Sequence, residues 1–152
     1  MIKMIFPLLA ILTLQACTVT KSQQLVNYAG EISECKSTVE GLPAFDPGAH
    51  ITANRNLRIV CESRAKTGWY PAENAGRVVI TTIQAGERVV VQSVGESVVS
   101  VRAQDIILSI DGEAVNNAEE AKKYLFGKVG SPVNITVLRD NKAVIVTEHR
   151  SK

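Results

Sequence analysis

The sequence predicts an α+β fold that is mostly β-strand and contains one main helix. The chain is rich in Val, Ile and Thr, which favour strands. Its second half contains short runs in which apolar and polar residues alternate between turn residues. Only the segment Ala118–Phe126 combines an amphipathic stripe with a helix-start signal. These observations predict a sheet-based domain with a helix packed on it.

The first sixteen residues are predicted to be a cleaved targeting segment. Lys3 provides a positive start, and Met4–Leu14 is an apolar run of eleven residues, too short to span a bilayer. The following Leu14-Gln15-Ala16-Cys17 resembles the lipobox of bacterial lipoproteins, in which a small residue precedes the cysteine that receives lipid. The alternative is an ordinary secretory signal with a cysteine near its cleavage site.

The lipobox resemblance implies that Cys17 is lipidated and becomes the first residue of the mature chain. Its acyl chains would anchor the protein to a membrane. Because Thr18 rather than Asp follows the cysteine, the resemblance to enterobacterial sorting rules implies the outer membrane, facing the periplasm. Residues 17–27 are polar and are predicted to form a flexible tether.

Cys35 and Cys61 lie in the next segment, residues 28–75, and are predicted to form a disulfide. Two remaining cysteines in an exported protein most simply pair with each other, which would stabilise the fold by roughly 3–4 kcal/mol. Two free thiols or a metal pair are the alternatives. His50 is the only histidine between the cysteines, and the spacing fits no zinc pattern, so we predict no metal and no cofactor. His50–Cys61 is predicted to be a β-hairpin that turns at Asn54–Asn56.

The remaining elements are predicted from residue 77 onward. Asn117 is a good N-cap and Glu120 can reach back to it, while Gly127 can end the helix in a left-handed conformation. Glu119 and Lys123 are spaced for an i, i+4 ion pair. The segment Gly95–Val101 is ambiguous, and Glu148–Lys152 is predicted to fray. The predicted strands are Val78–Ile83, Arg88–Val94, Ile106–Ile110, Val133–Leu138 and Ala143–Thr147.

The segment Gln104–Thr147 resembles the C-terminal half of a PDZ domain. It reads QDIILSIDGEAV, then the helix, a strand, the turn Asp140-Asn141-Lys142 and a last strand. This order is similar to the PDZ domains of periplasmic proteases of the HtrA type, although Gln104 stands where that family usually has Gly. The resemblance implies a PDZ-like, partly open antiparallel barrel over residues 76–150, preceded by the disulfide-bridged segment.

The PDZ resemblance also implies a peptide-binding site. In PDZ domains an extended peptide pairs with a free strand edge beside the main helix, and a loop before that strand holds the terminal carboxylate. Carried over, the loop contains Gly86 and Arg88, although Arg88 is slightly better interpreted as a solvated edge charge. The strand is Val89–Ser93, and the predicted binding residues are Gly86, Arg88, Val89, Val91, Ala118, Ala121, Lys122 and Leu125.

A second register of the same site is possible. Gly68-Trp69-Tyr70 would then be the binding loop and Val78–Ile83 the edge strand, with Gln84–Ser100 as an inserted hairpin. Trp69, the sole tryptophan, is alternatively interpreted as packing between the N-terminal segment and the PDZ-like domain.

Composition and motifs limit the classes of function. The net charge of +2 is spread over both halves, which argues against a nucleic-acid partner. Neither of the two histidines sits in a catalytic motif, so we predict no enzymatic activity. We predict a scaffold or adaptor that binds a protein or peptide partner in the cell envelope. The alternative is a structural assembly lipoprotein whose degenerate PDZ fold no longer binds free peptides.

Overall fold

The structure, a computed structural model, describes residues 17–41 and 46–152, so the predicted targeting segment lies outside the described residues. The N-terminal unit is a three-stranded antiparallel sheet, in the order β2-β1-β3, with one helix packed against it. Its elements are β1 (Thr18–Val26), β2 (Ile32–Glu40), α1 (Pro47–Ala65) and β3 (Tyr70–Pro71).

Alternation along the β1–β2 hairpin builds the small core of this unit. Val19, Leu25 and Cys35 point to one face and are buried, and α1 covers that face. The predicted disulfide between Cys35 and Cys61 is confirmed, with 5.7 Å between the two Cα atoms. It ties the middle of β2 to the last turns of α1.

Two conformational predictions for this region are wrong. Residues 18–26 form strand β1 rather than a flexible tether, because pairing with β2 lets Val19 and Leu25 be buried. His50–Cys61 lies within α1 rather than in a hairpin. Asp46 accepts a hydrogen bond from Ala49 N–H at 3.0 Å and starts the helix. The described residues therefore contain a helix in addition to the main helix predicted from the sequence, in a chain that is mostly β-strand as predicted.

The second unit is built from a larger antiparallel sheet and one helix. Its elements are β4 (Ala75–Arg77), β5 (Ile80–Ala85), β6 (Arg88–Val94), β7 (Ile106–Ile110), β8 (Glu113–Ala114), α2 (Ala118–Leu125), β9 (Phe126–Lys128), β10 (Pro132–Arg139) and β11 (Lys142–His149). The order in the sheet is β11-β10-β7-β6-β5, with β8 paired to β7. Helix α2 packs across the sheet through Ala121 and Leu125, which join the main core. A two-stranded ribbon of β4 and β9 lies beside the sheet.

The strands predicted in this unit are found, with shifted ends. The Val78–Ile83 prediction corresponds to β5, which begins at Ile80 and turns into β6 through Gly86, whose φ is 64°. The ambiguous segment Gly95–Val101 contains neither helix nor strand. Gln104 has a φ of 72°, which explains why a glycine is common at this position in the family that the sequence resembles.

The start of α2 agrees closely with its prediction, and its end does not. Asn117 Oδ1 accepts from Glu120 N–H at 2.8 Å as predicted, while the Glu120 carboxylate accepts from Asn116 N–H, at 2.9 Å, rather than from the N–H of Asn117. The ion pair on the surface joins Glu119 to Lys122, at 3.3 Å, rather than to Lys123.

The helix ends without the left-handed glycine predicted at Gly127, which lies in β9 instead. The guanidinium of Arg150 donates to the carbonyls of Tyr124 and Leu125 at 2.8 and 3.2 Å. It occupies the space that a side chain at residue 127 would need. The C-terminus of α2 is therefore satisfied by a side chain from the end of the chain.

The C-terminal residues are ordered, so the prediction that Glu148–Lys152 frays is wrong. Ser151 exchanges two backbone hydrogen bonds of 2.9 Å with Arg77. Glu148 is buried and accepts hydrogen bonds from the backbone of the loop 95–104. The chain end thus fixes that loop, the β4 ribbon and the end of α2.

Candidate functional site

A groove runs between strand β5 and helix α2. Strand β5 is the edge of the main sheet, and α2 lies beside it, antiparallel to it: Val78 N–H donates to Leu125 O, and Ala118 N–H donates to the Gln84 side chain. The groove encloses about 280 Å³. Its walls come from the strand side (Ile80, Thr81, Thr82) and from the helix side (Lys122, Leu125).

The backbone of β5 offers a free edge to this groove. Thr82 lies opposite Val91 on β6. The N–H of Val91 does not bond to Thr82 but donates to Asp105 O, at 2.9 Å, on the side of β6 that faces β7. Because antiparallel strands alternate between paired and unpaired positions, the N–H and C=O of Thr82 point away from β6, and those of Gln84 do the same two residues later. A further strand can therefore pair with β5 at Thr82, which lines the groove, whereas the Gln84 side chain bridges β5 and α2 at the end of the strand.

One end of the groove is closed by Gln84. Its Oε1 accepts from Ala118 N–H at 3.2 Å and its Nε2 donates to Gly86 O at 2.8 Å. This side chain ties the end of β5 to the first turn of α2. The width of the groove is consequently fixed at that end.

The other end, where the loop 77–80 precedes β5, has few free backbone donors. Arg77 N–H donates to Ser151 O at 2.9 Å, Val78 N–H to Leu125 O at 3.2 Å, and Ile80 N–H to Val78 O at 3.0 Å. These three amides are thus engaged within the chain. An incoming carboxylate cannot use them without displacing these bonds.

The edge strand beside α2 is β5, whereas the sequence predicted Val89–Ser93, which lies in the neighbouring strand β6. β6 lies between β5 and β7, and Val89 and Val91 are each 1% exposed in the core, so the segment Val89–Ser93 has no free edge. Gly86 and Arg88 lie at the β5–β6 turn, beyond the end of the groove that Gln84 closes. The edge of the site is therefore corrected to β5.

Two of the four helix residues predicted for the site, Lys122 and Leu125, line the groove. Ala121 is buried in the core, and Ala118 N–H donates to the Gln84 side chain at one end of the groove. The second predicted register had the edge near Val78–Ile83, in agreement with β5, but Gln84–Ser100 is no insertion because β6 is an integral strand. Peptide binding by these residues stays a prediction.

A second cavity, of about 350 Å³, lies between the N-terminal unit and the end of α2. All five aromatic residues of the described parts of the chain line it: Tyr28, Trp69, Tyr70, Tyr124 and Phe126. We call it the aromatic cavity. Tyr28 and Phe126 also line the groove, so the two spaces adjoin at these two rings. Sequence reasoning missed it because its residues come from distant segments.

The aromatic residues are held by contacts from both units. The rings of Tyr70 and Phe126 meet edge to face with 5.6 Å between centroids. The Arg64 guanidinium lies 5.4 Å from the centre of the Trp69 ring, which also packs against the Cys35–Cys61 cluster. Trp69 thus packs at the junction between the two units.

A family model for the PDZ domain matches residues 65–147, more than half of the chain. The chain belongs to the PDZ domain family. Among solved structures, this PDZ protein is similar to the PDZ domain of a carboxy-terminal protease from Vibrio cholerae, solved in complex with a peptide. The identity is 19% and the TM-score 0.42, with 51% of this chain and 94% of that chain covered. No curated protein matches.

PDZ domains are generally peptide-binding modules rather than catalytic ones, and the similar structure is the PDZ part of a protease. Across residues 17–41 and 46–152, no group of three or more His, Cys, Asp or Glu side chains is placed to hold a metal ion. Within the same ranges, no helix is long and apolar enough to cross a bilayer.

Proposed function

We propose that this PDZ protein is a membrane-anchored lipoprotein of the bacterial cell envelope that binds an extended segment of a partner protein. The supporting observation is the free edge of β5 beside α2. Thr82 presents an unpaired N–H and C=O there, and a peptide strand added to this edge gains main-chain hydrogen bonds while its side chains contact α2. The role is that of a scaffold or an adaptor.

Replacing Thr82 with Pro tests strand addition. Proline removes the outward N–H and places its ring on the edge, and it breaks no bond to β6 because this amide does not face β6. We expect peptides selected from random dodecapeptide libraries to bind Thr82→Pro at least about tenfold more weakly, a loss of about 1.4 kcal/mol. The measurement is fluorescence anisotropy, with the fold checked by thermal unfolding.

The control is Thr82→Ala, which keeps the amide and should bind within about threefold of the wild type, or about 0.7 kcal/mol. Equal binding by the Pro variant would show that the peptide does not pair with β5. If the libraries yield no binder to the wild-type protein, peptide recognition itself is refuted.

The membrane anchor is proposed at Cys17. This residue is exposed and carries a free thiol, and its carbonyl accepts from Gly41 N–H at 3.0 Å directly before β1 begins. A lipid on Cys17 therefore holds the folded N-terminal unit close to the bilayer, with no intervening tether. The outer membrane, facing the periplasm, is the proposed location.

Metabolic labelling tests this anchor. We expect the wild-type chain to incorporate labelled palmitate and to fractionate with membranes, and Cys17→Ser to lose both properties. Cys17 is exposed and its hydrogen bond to Gly41 uses the backbone, so thermal unfolding of the soluble domain should be unchanged. Equal labelling of the two proteins, or label in neither, would refute the lipoprotein proposal.

A structural assembly role is the second candidate. The observation in its favour is that Arg77, Val78 and Ile80 already use their N–H groups within the chain, which removes donors for a free peptide end. This candidate predicts a stoichiometric partner that co-purifies with the protein, and no saturable peptide binding. Strand addition predicts the reverse.

A further inference from the structure

The arrangement of the groove indicates whether it binds the end of a peptide or an internal segment. This inference rests on the proposed function. A peptide that ends in the groove presents a carboxylate at the loop 77–80. Three amides of this loop are engaged by Ser151 O, Leu125 O and Val78 O. Of the four amides in this loop, only Val79 N–H takes no part in these three hydrogen bonds. A single N–H binds a carboxylate less well than the several N–H groups that hold a peptide's carboxylate in a PDZ domain. The groove is thus poorly suited to a chain end.

Beside this loop the groove adjoins the aromatic cavity. Phe126 and Tyr28 line both spaces. A segment running antiparallel to β5 leaves the groove at the Ile80 end, next to these two rings. A segment that extends beyond this end can reach the aromatic cavity.

Tyr28 is held at this exit by its own turn. The Asn27 side chain accepts hydrogen bonds from the N–H groups of Ala29 and Glu31 at 3.0 and 2.9 Å. These bonds order the tip of the β1–β2 hairpin, where Tyr28 lines the groove together with Leu125 of α2. The N-terminal unit therefore contributes a residue to the site of the PDZ domain.

The charged side chains that line this path are all basic. Arg77 and Lys122 line the groove, with Lys122 also pairing with Glu119 at 3.3 Å on the surface, and Lys66 and Lys123 line the aromatic cavity. Among the described residues that line these two spaces there is no Asp or Glu. An acidic segment is complementary to this lining, and a basic one is repelled.

We propose that the groove and the aromatic cavity together bind an internal, acidic segment of a partner protein. The segment adds a strand to β5 and places one large aromatic or aliphatic side chain in the aromatic cavity. The cavity, at about 350 Å³, is within the range of small-ligand pockets of roughly 300–1,000 Å³ and has room for such a side chain. The N-terminal unit is thus part of the recognition surface.

Selection from two random dodecapeptide libraries tests this proposal. One library displays the dodecapeptides with free C-termini, and the other places them between flanking residues. We expect enrichment from the internal library of sequences with an aromatic residue near Asp or Glu. Enrichment from the free C-terminal library alone would overturn this inference but leave peptide recognition intact, whereas enrichment from neither would overturn both.

Point variants test the aromatic cavity with one selected internal peptide as the probe. We expect Tyr28→Ala and Lys123→Glu each to weaken binding by about fivefold or more, or about 1 kcal/mol. Tyr28→Phe keeps the ring and should restore binding. Lys142→Glu makes the same charge change at the opposite edge of the sheet, at the β10–β11 turn, and serves as the control.

Fluorescence of Trp69, the sole tryptophan, provides a readout at the cavity itself. Binding of the peptide, selected without tryptophan, should shift or quench its emission in the wild type. Binding that leaves the emission unchanged and is insensitive to Tyr28→Ala would confine the ligand to β5 and overturn the role of the cavity.

Discussion

Glu148→Ala is expected to destabilise the protein by about 3–5 kcal/mol, among the largest effects of any side-chain truncation in the chain. Glu148 is 2% exposed. Its carboxylate accepts from the N–H groups of Val99, Ser100 and Val101 at 3.2, 2.5 and 2.9 Å. The truncation removes the acceptor that these three donors share.

The size of the effect follows from what the variant leaves behind. Hydrogen bonds to a charged group contribute more than neutral ones, and donors left without an acceptor in a buried place add a desolvation cost. The loop 95–104 has neither helix nor strand of its own, so the carboxylate acts as its organising centre. Losing it should free the loop as well as lower the stability of the whole domain.

Urea unfolding measures the free energy, and hydrogen exchange at residues 99–101 measures the loop. Glu148→Gln keeps the size and one acceptor, so its loss should be intermediate. The adjacent His149→Ala is the matched control, because this exposed side chain lies on the same strand, and its effect should stay within about 0.5 kcal/mol. A Glu148→Ala midpoint equal to that of the control would contradict the account.

Local signals in the sequence predicted the C-terminal half well. The Asn117 cap, the turn residues and the alternating strands act within a few residues of each other, and each is found in the fold. Glu148 and Arg150 were missed because their partners lie about 49 and 26 residues away, in the loop 95–104 and at the end of α2. A polar chain end carries no local signal for such contacts.

In the N-terminal unit, by contrast, local signals in the sequence predicted the secondary structure poorly. Ala49, Ala53, Leu57 and Cys61 recur every four residues, which is a helical period, but a stripe of small residues is a weak signal beside Asn and Arg in the same segment. Strand β1 is mostly polar because one face of its sheet is exposed. The local sequence alone therefore predicts neither α1 nor β1 strongly, because each is stabilised by packing against the other.

The binding edge could be predicted only to within one strand. The sequence marks two strands joined by a turn at Gly86, yet it carries no local mark of which of them lies next to α2. Sheet order is set by the pairing of β6 with β7, between segments of the chain separated by the irregular loop 95–104. Alternation identifies strands and faces, whereas the position of an edge depends on such distant pairing.

Arg139→Met is expected to destabilise the protein by about 3–5 kcal/mol, because it leaves the carboxylate of Asp105 buried without its cation. Asp105 is 3% exposed and lies 2.8 and 2.6 Å from the Nε and Nη2 atoms of Arg139. It also accepts from Arg102 N–H at 2.8 Å, and Arg139 donates to Ser100 O. This pair fixes the second half of the loop 95–104.

The titration of Asp105 adds a pH dependence with a defined sign. Burial alone would raise the pKa of Asp105, but the hydrogen bonds from Arg139 and Arg102 N–H outweigh it and hold the pKa below its usual value. A lowered folded-state pKa stabilises the fold above the unfolded value of about 3.9, and this contribution is lost as the pH falls through the folded-state pKa. The affected window therefore lies below about pH 4.

Asp105→Asn separates this contribution from the other carboxylates. The free energy by which the wild type exceeds Asp105→Asn should be constant near neutral pH and should shrink below about pH 4. Urea unfolding of both proteins at several pH values measures this difference. A difference that grows on acidification would contradict the lowered pKa of Asp105.

The double variant Asp105→Leu with Arg139→Met tests the coupling of the pair. It should regain much of the stability lost by Arg139→Met alone, since no charge is then left buried without a partner. Urea unfolding measures this gain, and a double variant as unstable as the sum of the two single changes would show that the pair does not act as a coupled unit.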